Sequence, residues 1–207
     1  MMASNGAVLP RIAGKAPFNN RCVIVLFKSR ERAPIHRRTN GQEAGMELLQ
    51  HVQKLLQDND VTATINDGEL FFHARFGPVA GRIRVSASQS AFTVCAHLGL
   101  FVPANRIAAM YEGISRANWQ LIFLRFECDS SDGELRLRGD MPRYGTDPSD
   151  EQVTHLCYRC WAVAIQYAPA LVQIMTSNCD PDSAIAKVEG TEQERPQQPR
   201  NTDLTVN

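Results

Sequence analysis

Cys157 and Cys160 form the one CxxC in this chain. Such a pair does redox chemistry when it sits at a helix start, where the dipole lowers a thiol pKa. Here it falls well inside an apolar helical stripe made by Val153, Leu156, Cys157, Cys160, Ala164, Ile165, Leu171 and Val172. That placement reads as two buried, inert thiols. Zinc would need further ligands, and the sequence offers no second CxxC or His pair at metal spacing; His155 points away from Cys157 on a helix. His51, His73 and His97 are scattered, and none shares a short motif with Ser and Asp or with paired carboxylates. Asp129, Asp132 and Glu134 lack the distant bidentate Glu of a calcium loop and read as a hairpin turn. Gly77 and Gly81 follow no phosphate-loop spacing. This inventory implies no catalytic residues, no metal and no cofactor.

A second constellation is spatial. Strand side chains alternate between faces. One parity of the strand-like segments collects Phe72, Ala74, Phe76, Ile83, Val85, Phe92, Val94, Ile122, Leu124, Phe126, Leu135 and Leu137, the expected core face. The other collects Phe71, His73, Arg75, Arg82, Arg84, Thr93, Cys95, His97, Leu121, Phe123, Arg125, Arg136 and Arg138. Six arginines share that second set, and acids enter only at the strand ends with Glu127 and Asp140. Arginine with aromatic residues is what binding surfaces enrich. The expected partner-binding residues are therefore Phe71, Arg75, Arg82, Arg84, Phe123, Arg125, Arg136 and Arg138. The plainer alternative is that arginine on an exposed sheet solubilises it and guards its edges.

The elements that would hold these residues follow from period and punctuation. Asn40 with Glu43 fits a capping box, and Leu48, Leu49, Val52, Leu55 and Leu56 form the stripe of the helix behind it. Residues 61–65, 70–76, 81–87 and 91–98 read as short strands divided by Asn66-Asp67-Gly68, Gly77-Pro78 and Ser88-Gln89-Ser90, a meander that needs no crossover helices. Pro103 opens a second helix along Ile107, Met110, Tyr111 and Ile114, which Asn118 ends. Two more strands follow, joined at Asp132-Gly133. Ser149 and Gln152 then cap a last helix, which Pro169 should kink or break.

The chain has 207 residues with 43% hydrophobic composition, enough for one domain with a real core. Its formal charge is zero but unevenly spread. Residues 1–45 hold eight Lys and Arg against two Glu, whereas residues 180–207 hold six acids against three bases. The expected organisation is a basic, disordered extension over 1–40, an α+β domain over 41–179 and an acidic, disordered tail over 180–207. The extension also fits a transit peptide or a binding arm. Six cysteines without a regular framework imply reduced thiols and a cytoplasmic setting, and no apolar run reaches membrane-spanning length.

The VPxxR that opens the second helix, Asn118 at its end, FxCDxxDGELRLR in the hairpin and QYAPALV in the last helix together resemble the YbjN-like family of bacterial proteins, over roughly residues 43–175. The resemblance implies an α+β fold of order α-ββββ-α-ββ-α, similar to type III secretion chaperones. In it, helices pack on one face of a twisted antiparallel sheet of about six strands. It also implies a regulatory or chaperone-like protein-binding module, a homodimer, with no catalytic residues to carry over. Single-stranded nucleic acid is the alternative partner, since Phe71 and Phe123 could stack bases while arginines track phosphates. The zero net charge and the missing signature of an RNA-binding sheet stand against it.

Overall fold

The computed structural model describes residues 41–190. Helix α1 (Gly41–Gln57) leads into β1 (Thr64–Asn66), β2 (Glu69–Phe76), β3 (Val79–Ala87) and β4 (Ala91–Phe101). A single 3₁₀ turn (Ala104–Arg106) then opens α2 (Ile107–Gln120), followed by β5 (Leu124–Cys128), β6 (Glu134–Pro142), α3 (Asp150–Thr176) and α4 (Pro181–Glu189). All strand pairs are antiparallel, and the spatial order is β1-β2-β3-β4-β6-β5. The α+β reading thus holds, with an open six-stranded sheet and the helices on one face of it. The Asn40 cap lies outside the described residues.

The core face is the one that alternation predicts. Phe76, Ile83, Val85, Phe92, Val94, Leu124, Phe126, Leu135 and Leu137 are buried beneath α1 and α3 side chains such as Leu49, Val52, Leu171 and Ile174. Phe72 and Ala74 are half-buried at its margin. Ile122 is a correction. It is 87% exposed, because α2 runs on to Gln120 and the chain uses residues 121–123 to turn before β5 can begin. Asp67 and Gly68, with φ of 49° and 76°, form the two-residue turn between β1 and β2, which needs positive φ at both positions.

Residues that carried the family resemblance turn out to be fasteners. The Arg106 guanidinium donates through Nε (2.9 Å) and Nη2 (2.6 Å) to the Ile174 carbonyl, one of those left without an intrahelical partner near the end of α3. Its Nη1 reaches Asn178. Asn118 does more than end a helix. Its Oδ1 accepts the Phe126 N–H (2.8 Å) and its Nδ2 donates to the Phe126 carbonyl (3.1 Å). The carboxamide therefore pairs with β5, on the side away from β6, as a neighbouring strand would.

α3 continues through Pro169 as one helix. The ordered chain does not stop at Cys179 either, contrary to the expected boundary of the acidic tail. Asp180 caps α4 by accepting the Ser183 N–H, Pro181 occupies the first turn, and Pro181, Ala184 and Ile185 are buried against α2 and α3. Apolar burial of that kind outweighs the acidic composition that suggested disorder. At its end Glu189 lies 3.0 Å from Arg116 and accepts a hydrogen bond from Tyr167 (2.9 Å). Residues 1–40 and 191–207 lie outside the described part of the chain.

Candidate partner-binding face

The sheet face away from the helices is ordered into rows by strand register. One row crosses five strands as His73, Arg82, His97, Arg136 and Glu127. The next runs Phe71, Arg84, Cys95, Arg138 and Arg125, and a third Glu69, Ser86, Thr93 and Asp140. Seven of the eight predicted residues are brought together here. Phe123 lies just outside, in the bend before β5, 74% exposed.

Central strand β4 is buried on both sides. Its even residues enter the helix-side core, whereas Thr93, Cys95 and His97 lie between arginine-bearing strands, β3 on one side and β6 on the other. A long guanidinium side chain lays its methylenes over the sheet and keeps its head in water. Cys95 is inert for that reason. Burial pushes its thiol up, and the charges of Arg84, Arg136 and Arg138 offset this only in part.

Charge divides the face into two halves. On the β4-β6-β5 side, Arg125 bridges Glu127 and Asp140 (2.9 Å each), Arg136 donates to Glu127 (2.6 Å) and Arg138 to Asp140 (3.0 Å). Burial would raise the Glu127 carboxyl, yet the hydrogen bonds and charges of Arg136 and Arg125 hold it below its usual value. Asp140 is likewise held low against its own burial by Thr93, Arg138 and Arg125. On the β2-β3 side Arg84 meets Glu69 (3.2 Å), but Arg75 and Arg82 have no carboxylate partner among the described residues. Arg82 instead lies over the Phe71 ring, 5.3 Å from its centroid.

Two polar atoms on this face are buried without a hydrogen-bond partner among the described residues: Arg84 Nε and His97 Nε2. The other ring nitrogen of His97 contacts Glu134 at 2.8 Å. Sequence reasoning missed Glu69 and Glu134 as members of the face. The signal was available, because each continues the arginine parity by one more alternate position in its strand.

A family model described as "putative bacterial sensory transduction regulator", YbjN, matches residues 48–173. The chain belongs to the YbjN family. The match runs from within α1 to near the end of α3 and so contains the whole sheet and its arginine face, while α4 lies beyond it. Comparison with curated proteins gives no match.

The remaining candidates stay structural. Cys157 and Cys160 are buried; burial alone pushes Cys157 up to about 12, and Cys160 higher still, with its Sγ against the Leu137 carbonyl. His51 contacts Asp150 at 2.5 Å, tying α1 to the start of α3. No group of three or more His, Cys, Asp and Glu side chains among the described residues could hold a metal ion. No helix of the described residues is long and apolar enough to cross a membrane.

Proposed function

We propose that this member of the YbjN family is a cytoplasmic regulatory adaptor that acts by binding another protein on its open sheet face, without catalysing a reaction. The observation that carries the reading is the combination on one face of six arginines with four carboxylates, Glu69, Glu127, Glu134 and Asp140, beside the aromatic Phe71. Net positive charge remains after internal pairing, since Arg75 and Arg82 have no carboxylate partner among the described residues. Charged and aromatic groups arranged this way select partners by complementarity. Self-association belongs to the same proposal. Trp119, Ile122 and Phe123, exposed at 84%, 87% and 74%, offer apolar surface for it at the end of α2 and in the bend before β5.

The test is co-purification from native cells with the full chain and with a folded Arg75→Glu/Arg82→Glu/Arg84→Glu variant. Loss of specific partners in the variant is expected; unchanged recovery removes this face from the account. A filter-binding titration with single-stranded nucleic acid at two salt concentrations runs alongside. Binding that falls steeply with salt would replace the protein partner by nucleic acid.

A further inference from the structure

The free edge of β2 gives the face a direction. Two-residue turns flank this strand, Asp67-Gly68 on one side and Gly77-Pro78 on the other, so Asn66↔Glu69 and Phe76↔Val79 are closing pairs. Closing pairs of such turns exchange both backbone bonds, and the pattern alternates from there. Both ends agree. Even-numbered residues of β2 bond to β3, and Glu69, Phe71, His73 and Arg75 direct their backbone groups to the β1 side. Strand β1 reaches only as far as Thr64↔Phe71. Upstream the chain leaves the ladder, since Gln53 takes the Ala63 carbonyl (2.8 Å) and the Val61 N–H turns back to Leu56 (3.0 Å). His73 and Arg75 thus present outward N–H and C=O groups with no partner among the described residues.

The side chains at this edge specify what fits. His73 and Arg75 are exposed on the open face beside Arg82, and Arg75 and Arg82 are the arginines there with no carboxylate among the described residues. On the opposite face of the same edge, Phe72 and Ala74 are half-buried against the core margin. A strand laid along β2 would place alternate residues on these two faces.

We infer that the edge of β2 at residues 72–76 accepts an extended acidic segment of another protein by strand addition, with Asp or Glu on the arginine side alternating with apolar residues on the Phe72 side. This rests on the adaptor reading and names the kind of partner. A second copy fits poorly. Antiparallel pairing of two β2 strands about Ala74 sets each Arg75 against a His73 and gathers four unpaired arginines at one seam. The chain's own apolar run at residues 23–27 contains no carboxylate. An acidic strand supplies both missing elements, backbone partners and countercharge.

The full chain is titrated with a short synthetic peptide alternating Glu and Val, with its backbone N-methylated form as control, while amide exchange is followed residue by residue. Slowed exchange at His73 and Arg75 is expected, with no binding of the control. Arg75→Glu/Arg82→Glu should weaken binding about tenfold or more, which is a loss of about 1.4 kcal/mol. His73→Pro should weaken it as much while keeping both arginines, because proline removes an outward donor and leaves the β3 ladder intact. Should His73→Pro fail to fold, exchange on the unmutated chain decides. Peptide binding without protection at residues 73 and 75, and sensitive instead to Arg136→Glu or Arg138→Glu, would overturn strand addition and leave the adaptor face standing. Absence of any peptide binding would overturn the inference, and the co-purification above then decides the adaptor reading separately.

Discussion

The two edges of this sheet meet the same problem in opposite ways. At β5 the backbone of Phe126 is paired by the Asn118 carboxamide, and the Tyr111 hydroxyl lies 3.4 Å from the Cys128 carbonyl, so helix α2 covers the edge with side chains. At β2 nothing among the described residues takes the outward groups of His73 and Arg75. Charge follows the same division: the arginines near β5 are internally neutralised, and Arg75 and Arg82 at β2 and β3 find no carboxylate among the described residues. An unpaired edge normally invites aggregation, and positive charge is one way of restricting what may pair with it. One small sheet thus carries a sealed edge and an open, positively charged one, each set by two or three side chains.

The largest effect should come from unsealing β5. Asn118→Ala orphans the N–H and C=O of Phe126 and is expected to cost about 2–3 kcal/mol in urea denaturation, since an unmade bond to a buried group costs about 1–3 kcal/mol. Sedimentation of the same variant should show new concentration-dependent association; a neutral result in both would show that the carboxamide does not seal the edge. Next come the arginines. Arg136→Ala removes the shorter of the two arginine contacts of Glu127, leaving Arg125, and should destabilise by about 1 kcal/mol, whereas Arg82→Ala should change stability by about 0.5 kcal/mol or less. Equal losses at the two positions would erase the charge contrast between the halves.

Acid sharpens the same contrast more weakly. Glu127 and Asp140 have folded pKa values below their unfolded ones, so their contribution is fully present above the unfolded carboxylate range and is lost as pH falls through the folded values. A Glu127→Gln/Asp140→Asn variant should therefore lose less stability than the parent between pH of about 4.5 and acid, by a fraction of about 1 kcal/mol for such half-exposed groups. Parallel acid limbs in the two proteins would show that these pairs contribute nothing. The smallest effect belongs to the open edge: His73→Pro should shift stability by about 0.5 kcal/mol, because the donor it removes has no partner among the described residues. A loss of several kcal/mol would mean that this edge is covered after all.

Much of the sheet was legible because its signal has period two and survives in every strand: Ile83 and Val85 went inward and Arg82 and Arg84 outward, as alternation demands. The run Ile122-Phe123-Leu124 defeated the same rule, since three consecutive apolar residues carry no period and only Leu124 is buried. Asn118 was read as a helix end, but its role is a contact with Phe126 that no periodicity reports. The start of α4 did leave a trace, Asp180 before Pro181 with Ser183 behind, and Gly190 in the left-handed conformation closes it. Overall acidity hid that trace, because only three of its residues are buried. On the candidate face, parity found the arginines, while their neutralisation depended on which carboxylates the register placed beside them, which composition cannot report.

The position of α4 bears on the order in which the molecule is finished. A chain emerges from synthesis N-terminus first, and domains fold as their segments become available. Sheet and helices α1 to α3 can assemble while the groove between α2 and α3 still waits for Pro181, Ala184 and Ile185, and Arg116 and Tyr167 for Glu189. Without α4 the helical side would expose an apolar groove between α2 and α3, and nine residues folding back are enough to close it.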